Sequence, residues 1–344
     1  MRPYKVTVVI PVYNVEAYLE RCLASAFHQT LEGVEYILVD DCSTDNSTAV
    51  AERYIDPYLR EGNVQLIRNE RNTGIGLARN RGIDLARGKY IFFLDSDDVI
   101  PPYALERLYA AAEQHQADVT VGSFDTVNFT NQKPPYAFSF RERLVRGNAP
   151  IATAYLNGDF YVYSWNKLYN TAFLRDNHIR CIPDVVHEDL YLSFQVALKA
   201  QALVMVPDVT YVYSIRPGSI MDQFNERSYR DHYLSIVAME QLAVTQRNTA
   251  LYPALIRYNF GLRHLLLLRL AADSRVPPSF RREYLKKFGS SGFSFTELMR
   301  LPCLKASNKV KYSLSFLHSR VQIPLLKGMI FLHNQATPQP QQVS

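Results

Sequence analysis

Cysteines at metal-binding spacing, phosphate-loop glycines and long apolar runs are all missing from this chain, and each absence removes a class of function. The four cysteines, Cys22, Cys42, Cys181 and Cys303, stand far apart. With no CxxC pair and no histidine at zinc spacing, neither a zinc site nor a disulfide framework is indicated, and a reducing compartment is expected. No GxGxxG opens the first helical pattern and no GxxxxGK followed by Ser or Thr occurs. This disfavours a dinucleotide-dependent oxidoreductase and a phosphate-loop enzyme. No stretch approaches the roughly 20 apolar residues that span a bilayer, and Leu265 to Leu268 is flanked by Arg263, His264 and Arg269. The strand-like Val6 to Ile10 follows Met1 almost at once, so no secretory signal is expected. No internal repeat is found.

What is present begins with Tyr90-Ile-Phe-Phe-Leu-Asp-Ser-Asp-Asp98, an apolar strand that delivers Asp95, Asp97 and Asp98 within four residues. Clustered carboxylates repel one another unless they are solvated or neutralised by a divalent ion, and hard oxygen ligands suit magnesium or manganese. A solvated acidic turn and a cation site both remain open on this stretch alone. The strand has no polar residue from Ile91 to Leu94 and reads as buried on both faces. Its acids then fall at the carboxyl end, where open α/β sheets bind ligands.

Around this stretch the pattern alternates. Lys5 to Ile10 reads as a buried strand, and Val15, Leu19, Cys22, Leu23 and Ala26 recur on one helical face. Val34 to Val39 is a second strand, running into Asp40 to Asp45, where Thr44 or Asp45 is a plausible N-cap. Val64 to Ile67 precedes Asn69 to Gly76, and a helix from Ala78 to Ala86 is followed by the acidic strand. Pro101-Pro102 then starts a helix through Ala112, and Val119 to Val121 supplies a fifth strand. Such βαβ alternation predicts an α/β fold with a mainly parallel sheet and helices on both faces. It also gathers the loops Pro11 to Asn14, Asp40 to Thr44 and Asp95 to Asp98 on one edge.

From Phe124 to Pro150 the pattern loosens into an excursion that could border an acceptor cleft, and Ala149 to Leu156 is helical. Tyr161 to Tyr169 is strand-like and holds the only tryptophan, Trp165, which is either a core anchor or a platform that stacks on a sugar or base. His187-Glu-Asp-Leu190 opens a helix, where the dipole favours an acid but does not require two. Leu203 to Val206 and Thr210 to Tyr213 read as two short strands before the basic turn Ser214 to Ser219. Beyond Phe224 the pattern is helical: Tyr229 to Thr245, Tyr252 to Ala272, Ser279 to Phe288, Asn308 to Ser319 and Ile323 to His333. Residues 336–344 are Pro/Gln-rich and expected to be disordered.

Charge divides along the same line. Residues 1–229 carry 22 Lys and Arg against 28 Asp and Glu, whereas residues 230–344 carry 16 against 5. A basic block rich in Leu, Tyr and Phe suggests an anionic partner such as a membrane surface, a solvated helical face being the plain alternative.

Six segments, in order and spacing, resemble the bacterial family 2 glycosyltransferases of the GT-A fold: Val8 to Asn14, Val39 to Asp45, Asn72 to Gly74 with Ala78 to Gly82, Phe93 to Asp98, Trp165 to Tyr169 and Glu188-Asp189. The resemblance covers about residues 5–220. It implies a Rossmann-like GT-A domain over 1–224, with its acceptor part at about 124–224; the basic helical region over 225–335, read from charge and periodicity, carries none of it. It also implies inverting transfer of a sugar from a nucleoside diphosphate sugar to an acceptor hydroxyl. By that resemblance Pro11, Tyr13 and Asp41 form the base pocket, with Asp41 hydrogen-bonding a uracil, and Arg79 helps to hold the nucleotide. Asp95 and Asp97 are the pair toward ribose and a divalent cation, Mn2+ or Mg2+, that bridges the diphosphate. Asp189 is the general base beside Glu188, and Asp98, Trp165 and Lys167 are candidates for contact with the acceptor or donor sugar.

The chemistry agrees. A divalent Lewis acid stabilises charge left on a departing diphosphate, and a carboxylate opposite it must take the proton of a poorly nucleophilic hydroxyl. One base far along the chain from the acidic turn suits inversion, whereas paired carboxylates acting on water would suit hydrolysis. One departure is Cys42, where the family usually has glycine; a positive φ there would strain cysteine by on the order of 1 kcal/mol.

The expected partners are a nucleoside diphosphate sugar, UDP-linked as the resemblance implies, a glycan or lipid-linked acceptor of surface polysaccharide, and an inner-leaflet surface for a cytoplasmic, peripheral enzyme. No nucleic-acid reader motif is found, so no nucleic acid is expected. The competing class is a non-catalytic GT-A-fold glycan-binding or scaffolding protein in a membrane-associated complex. Retention of Asp95, Asp97 and Asp189 together argues against it.

Overall fold

Three strands with hardly a polar side chain build the centre of the molecule: β1 (Val6–Val12), β2 (Val34–Asp40) and β4 (Tyr90–Phe93), buried at every position. Such runs, rich in β-branched and aromatic residues, fit a sheet covered on both faces. This computed structural model describes residues 4–129, 137–216, 225–289, 292–301 and 304–314, with a few positions between 317 and 329. The chain divides into two compact units, Met1–Gln223 and Phe224–Ser344.

In the first unit the remaining strands are β3 (Val64–Arg68), β5 (Val119–Asn128), β6 (Arg143–Arg146), β7 (Lys167–Asn170) and β8 (Ala202–Ile215). They form one eight-stranded sheet in the order β3-β2-β1-β4-β7-β5-β8-β6. The β3-β2-β1-β4 half is parallel throughout, with Val6 opposite both Val34 and Tyr90. Strand β7 lies antiparallel between β4 and β5, β8 is parallel to β5, and β6 is antiparallel to β8, so the sheet is mixed. Chain order runs outward from β1 to β2 on one side and to β4 on the other. This is a switch point at which a crevice opens beyond the strands' carboxyl ends.

The helices are α1 (Glu16–Phe27), α2 (Ser47–Ile55), α3 (Ile75–Leu85), α4 (Ala104–His115), α5 (Asn148–Asn157), α6 (Thr171–Asp176) and α7 (Glu188–Lys199). The Asp45 carboxylate accepts from the backbone N–H of Ser47 at 2.9 Å and of Glu16 at 3.1 Å, so it serves the first turns of both α2 and α1. Helix α3 lies so close to β1 that a Cβ at Gly82 would stand 2.3 Å from Val9 Cγ1. Its last carbonyls, those of Ile83, Asp84 and Ala86, accept from the Arg175 guanidinium on α6.

Two expectations change. The pair of short strands across 203–213 is one long strand, β8, which carries the extra residues Pro207 and Asp208 opposite the bulge at Gly122 and Ser123. Proline lacks the donor a ladder needs, and a bulge accommodates it without ending the strand. Of Tyr161 to Tyr169 only Lys167 onward is strand, because the preceding segment is fixed by side chains instead of a ladder.

The second unit is helical: α8 (Glu226–Val244), α9 (Tyr252–Ala272), α10 (Pro278–Gly289), α11 (Phe295–Arg300) and α12 (Ala306–Ser313). Helix α8 starts at a capping box in which the side chains of Asn225 and Ser228 each accept from the other's backbone N–H. Its core gathers Tyr229, Ile236, Leu267, Leu270, Leu285 and Phe288. The excursion at residues 130–136, the turn at 217–219, most of 323–333 and the tail 336–344 lie outside the described residues.

Candidate active site

Strands β1, β2 and β4 deliver the crevice's first groups. Pro11 lies within β1 opposite Val39. Tyr13, just beyond β1, keeps 45% of its surface exposed. Asn14, in the left-handed region at φ 50°, accepts from the Thr44 N–H at 2.8 Å and ties this loop to the one after β2. Asp41 is buried, and its carboxylate accepts from Asn69 Nδ2, Thr73 N, Thr73 Oγ1 and Gly74 N at 2.7–3.0 Å. It therefore shapes the Asn69–Gly74 loop ahead of α3, and a base could reach it only where that loop yields one of these bonds. Cys42 stands at φ 64°, the positive value at which cysteine is strained.

The acidic turn after β4 divides its three carboxylates. The backbone N–H of Asp98 closes a tight turn on Asp95 O at 3.0 Å, which sends the side chains in different directions. Asp98 was expected to face a sugar. Instead it is wholly buried, accepting from Tyr211 Oη at 2.7 Å and from the Ser214 N–H at 2.7 Å, and so clamps the end of β8. Burial pushes its carboxyl well above the ordinary range, Asp97 and Asp95 add to this, and the two hydrogen bonds oppose it.

Asp95 and Asp97 remain at the crevice, each about one-fifth exposed. Asp95 Oδ1 accepts from Arg79 Nη2 at 2.6 Å, and Asp97 Oδ2 accepts from Arg216 Nε at 2.5 Å.

Arg79, on α3, joins the two acidic loci of the sequence. Its Nη2 binds Asp95, its Nη1 donates to Glu188 at the start of α7, and its Nε has no hydrogen-bond partner among the described residues. Burial opposes its charge, but Asp95 and Glu188 outweigh that and hold the guanidinium even more firmly protonated than usual. Glu188 is buried and raised above the usual carboxylate range by burial, with Arg79 opposing and Asp189 adding. Asp189 is half-buried and accepts from the Leu190 N–H at 2.9 Å. Burial raises it, while Arg79 and its own helical N–H bond hold it down.

Trp165 and Lys167 lie behind this row. Trp165 is a core anchor, 5% exposed and stacked on Tyr163 at 4.8 Å and Tyr211 at 4.6 Å between ring centroids. Lys167 is buried, with Nζ donating to the carbonyls of Tyr161 at 2.9 Å and of Tyr163. Burial lowers its pKa to about 7 against the pull of Asp189. Neither presents itself to a sugar; both stiffen the segment before β7.

Among the described residues no three His, Cys, Asp or Glu side chains converge to hold an ion. A magnesium-type site shared with a diphosphate needs only one or two protein carboxylates. The second oxygens of Asp95 and Asp97 have no hydrogen-bond partner among the described residues and could serve as such donors. Arg216 lies in the basic turn singled out in the sequence as able to close over phosphate, but its pairing with Asp97, 119 positions away, was not read; Tyr211, whose hydroxyl bonds Asp98, escaped as a site group altogether.

Residues 7–176 match the family described as Glycosyl transferase family 2. The chain is 31% identical over 232 residues to glycosyltransferase GlyA of Streptococcus pneumoniae serotype 4, over 65% of this chain and 32% of that protein. It is 29% identical over 223 residues to glycosyltransferase GlyG of the same organism, over 63% and 72%. It is 31% identical over 215 residues to the poly(ribitol-phosphate) beta-glucosyltransferase of Bacillus spizizenii, over 62% and 32%. The chain thus spans about a third of the first and third of these relatives. A crystal structure of S. aureus TarS 1–349 in complex with UDP-GlcNAc shares the fold with a TM-score of 0.74 at 21% identity, over 98% of this chain and 93% of that one.

Proposed function

The chain belongs to glycosyl transferase family 2, and we propose that it moves a sugar, with inversion, from a nucleoside diphosphate sugar to a hydroxyl of a glycan or lipid-linked acceptor in surface polysaccharide assembly. UDP is the proposed carrier; the UDP-GlcNAc held by the TarS neighbour supports that choice. The observation that carries the reading is the buried Arg79 bridge, which draws the acidic turn after β4 and the acidic start of α7 to opposite ends of one guanidinium.

In this reading the exposed ring of Tyr13 stacks on the base, and the Asn69–Gly74 loop held by Asp41 walls the pocket. Asp95 and Asp97 hold Mn2+ or Mg2+ with their second oxygens. When bound, such an ion supplies Lewis-acid stabilisation of the departing diphosphate. Asp189 takes the proton of the attacking hydroxyl; burial raises its proton affinity toward what a base needs near neutral pH. Glu188 fixes Arg79 and thereby the spacing between the donor site and the base.

The test is release of nucleoside diphosphate from UDP-, GDP- and dTDP-sugars, with and without manganese, by the wild type and by Asp97→Ala. Manganese-dependent turnover of one carrier, lost in the variant, is expected. No turnover of any carrier with any acceptor fraction would overturn the reading.

No helix of the described residues is long and apolar enough to cross a membrane. The second unit supports peripheral docking on an anionic surface: Val310 is 66% exposed on α12, beside Lys309 and Lys311. Salt-sensitive flotation with anionic vesicles is expected, and flotation with neutral vesicles alone would contradict it.

A further inference from the structure

Asp97 is already occupied by a cation belonging to the chain. Arg216 Nε donates to Asp97 Oδ2 at 2.5 Å, and its guanidinium lies 5.0 Å from the centroid of the Tyr18 ring. The neighbourhood is built to bring it there. The buried Asp98 carboxylate grips Tyr211 and Ser214 at the end of β8, and Arg21 donates to both Asp97 O and Ser214 Oγ at 2.9 Å. The residue two places beyond that clamp is Arg216, delivered to the one acid of the turn that is neither buried nor held by Arg79.

Around the crevice the described residues include four carboxylates, Asp95, Asp97, Glu188 and Asp189, and three guanidinium groups: Arg79 and Arg216, which pair with these acids, and Arg21, which is spent on Asp97 O and Ser214 Oγ. Arg79 is locked by the buried Glu188 and by Asp95. Arg216 has one ionic partner among the described residues, is partly exposed, and sits on a ring that can support it without Asp97. A divalent ion on Asp97 and the Arg216 guanidinium compete for the same carboxylate, and like charges a few ångström apart repel. A guanidinium released there would be free to bind a diphosphate held by an ion on Asp97, in the fork geometry that suits phosphate oxygens.

We propose that Arg216 is an exchangeable counter-ion: it holds Asp97 in the empty site, gives it up when a divalent cation arrives, and then binds the diphosphate of the donor. Cation and donor thereby bind cooperatively, and nucleotide-free protein holds the metal weakly. This rests on the donor reading above.

The experiment measures Mn2+ binding to nucleotide-free full-length protein by electron paramagnetic resonance, and UDP and UMP binding at saturating Mn2+ by calorimetry, for wild type, Arg216→Gln and Arg216→Lys. In Arg216→Gln, Mn2+ binds about tenfold more tightly, UDP about tenfold more weakly and UMP with a smaller loss, as expected from removing one competing charge near a partly screened site. Arg216→Lys falls between, which shows that charge and not folding is read. In an Asp97→Asn background the Arg216→Gln effect on Mn2+ disappears. Unchanged or weaker Mn2+ binding in Arg216→Gln overturns the proposal even where wild type binds UDP well. Wild type that binds Mn2+ but none of the nucleotides overturns both this proposal and the donor reading.

Discussion

Each unit of this protein buries an arginine against carboxylates, and the two arginines are used differently. In the helical unit Arg263 is closed on itself: Nε and Nη2 donate to the two oxygens of Glu240, and Nη1 donates to Phe288 O at 2.6 Å. In the sheet unit Arg79 splits its donors between Asp95 and Glu188, which are far apart in the chain, and leaves Nε without a partner. A fully satisfied buried pair holds one geometry. A guanidinium divided between two acids at the edge of a crevice, with a donor to spare, couples the groups it touches and costs some stability to keep. The comparison teaches that burial of an ion pair does not mark a site; unequal satisfaction at a ligand-binding edge does.

The largest expected effect separates chemistry from binding. Asp189→Asn should lower kcat by about 10²–10⁴ while UDP affinity and stability stay close to wild type, as expected for loss of a general base. Turnover within tenfold of wild type would remove Asp189 from its role.

Next is the closed pair. Arg263→Met takes the guanidinium from the buried Glu240 carboxylate, which keeps the Gly292 N–H, and should cost about 3–5 kcal/mol in denaturant unfolding, and Arg263→Met with Glu240→Leu should regain most of it. UDP affinity should follow neither.

Arg79→Met sharpens the contrast through pH. Arg79 lowers the pKa of Asp189, so its loss raises that pKa. Because the base works only when deprotonated, activity lost on acidification should be lost at a higher pH in the variant. An unmoved acid limb of kcat/KM would show that Arg79 does not face the base.

Smallest is Cys42→Gly. It relieves strain at φ 64° but frees the unfolded chain, so stability should change by less than about 1 kcal/mol. A larger change would assign the Cys42 side chain a packing role.

Much of this was legible in the sequence, for reasons particular residues make plain. The runs that became β1, β2 and β4 are so apolar that only a doubly covered sheet could hold them, and that alone put the loops after them on one edge. The helix from Tyr252 to Ala272 stands where its periodicity placed it. Strand β7 lies within the stretch read as strand-like, but its antiparallel position between β4 and β5 was not legible, because it depends on pairings such as Tyr90 with Asn170, which no local pattern encodes. Asp98 was grouped with its neighbours by proximity in the chain, yet a tight turn sends adjacent side chains apart, and its partners Tyr211 and Ser214 lie more than a hundred residues away. Trp165 stayed open in the sequence between core anchor and stacking platform, and Lys167 was a candidate sugar contact by resemblance, but both spend their properties on carbonyls and on other rings.

The account turns on donor binding and proton transfer being separate jobs joined by Arg79. The direct measurement is calorimetric titration of UDP, with manganese, into wild type, Asp97→Ala and Asp189→Asn. The account predicts wild-type affinity for Asp189→Asn and loss of manganese-dependent binding for Asp97→Ala. Equal loss in both variants, or undiminished binding in Asp97→Ala, would contradict it.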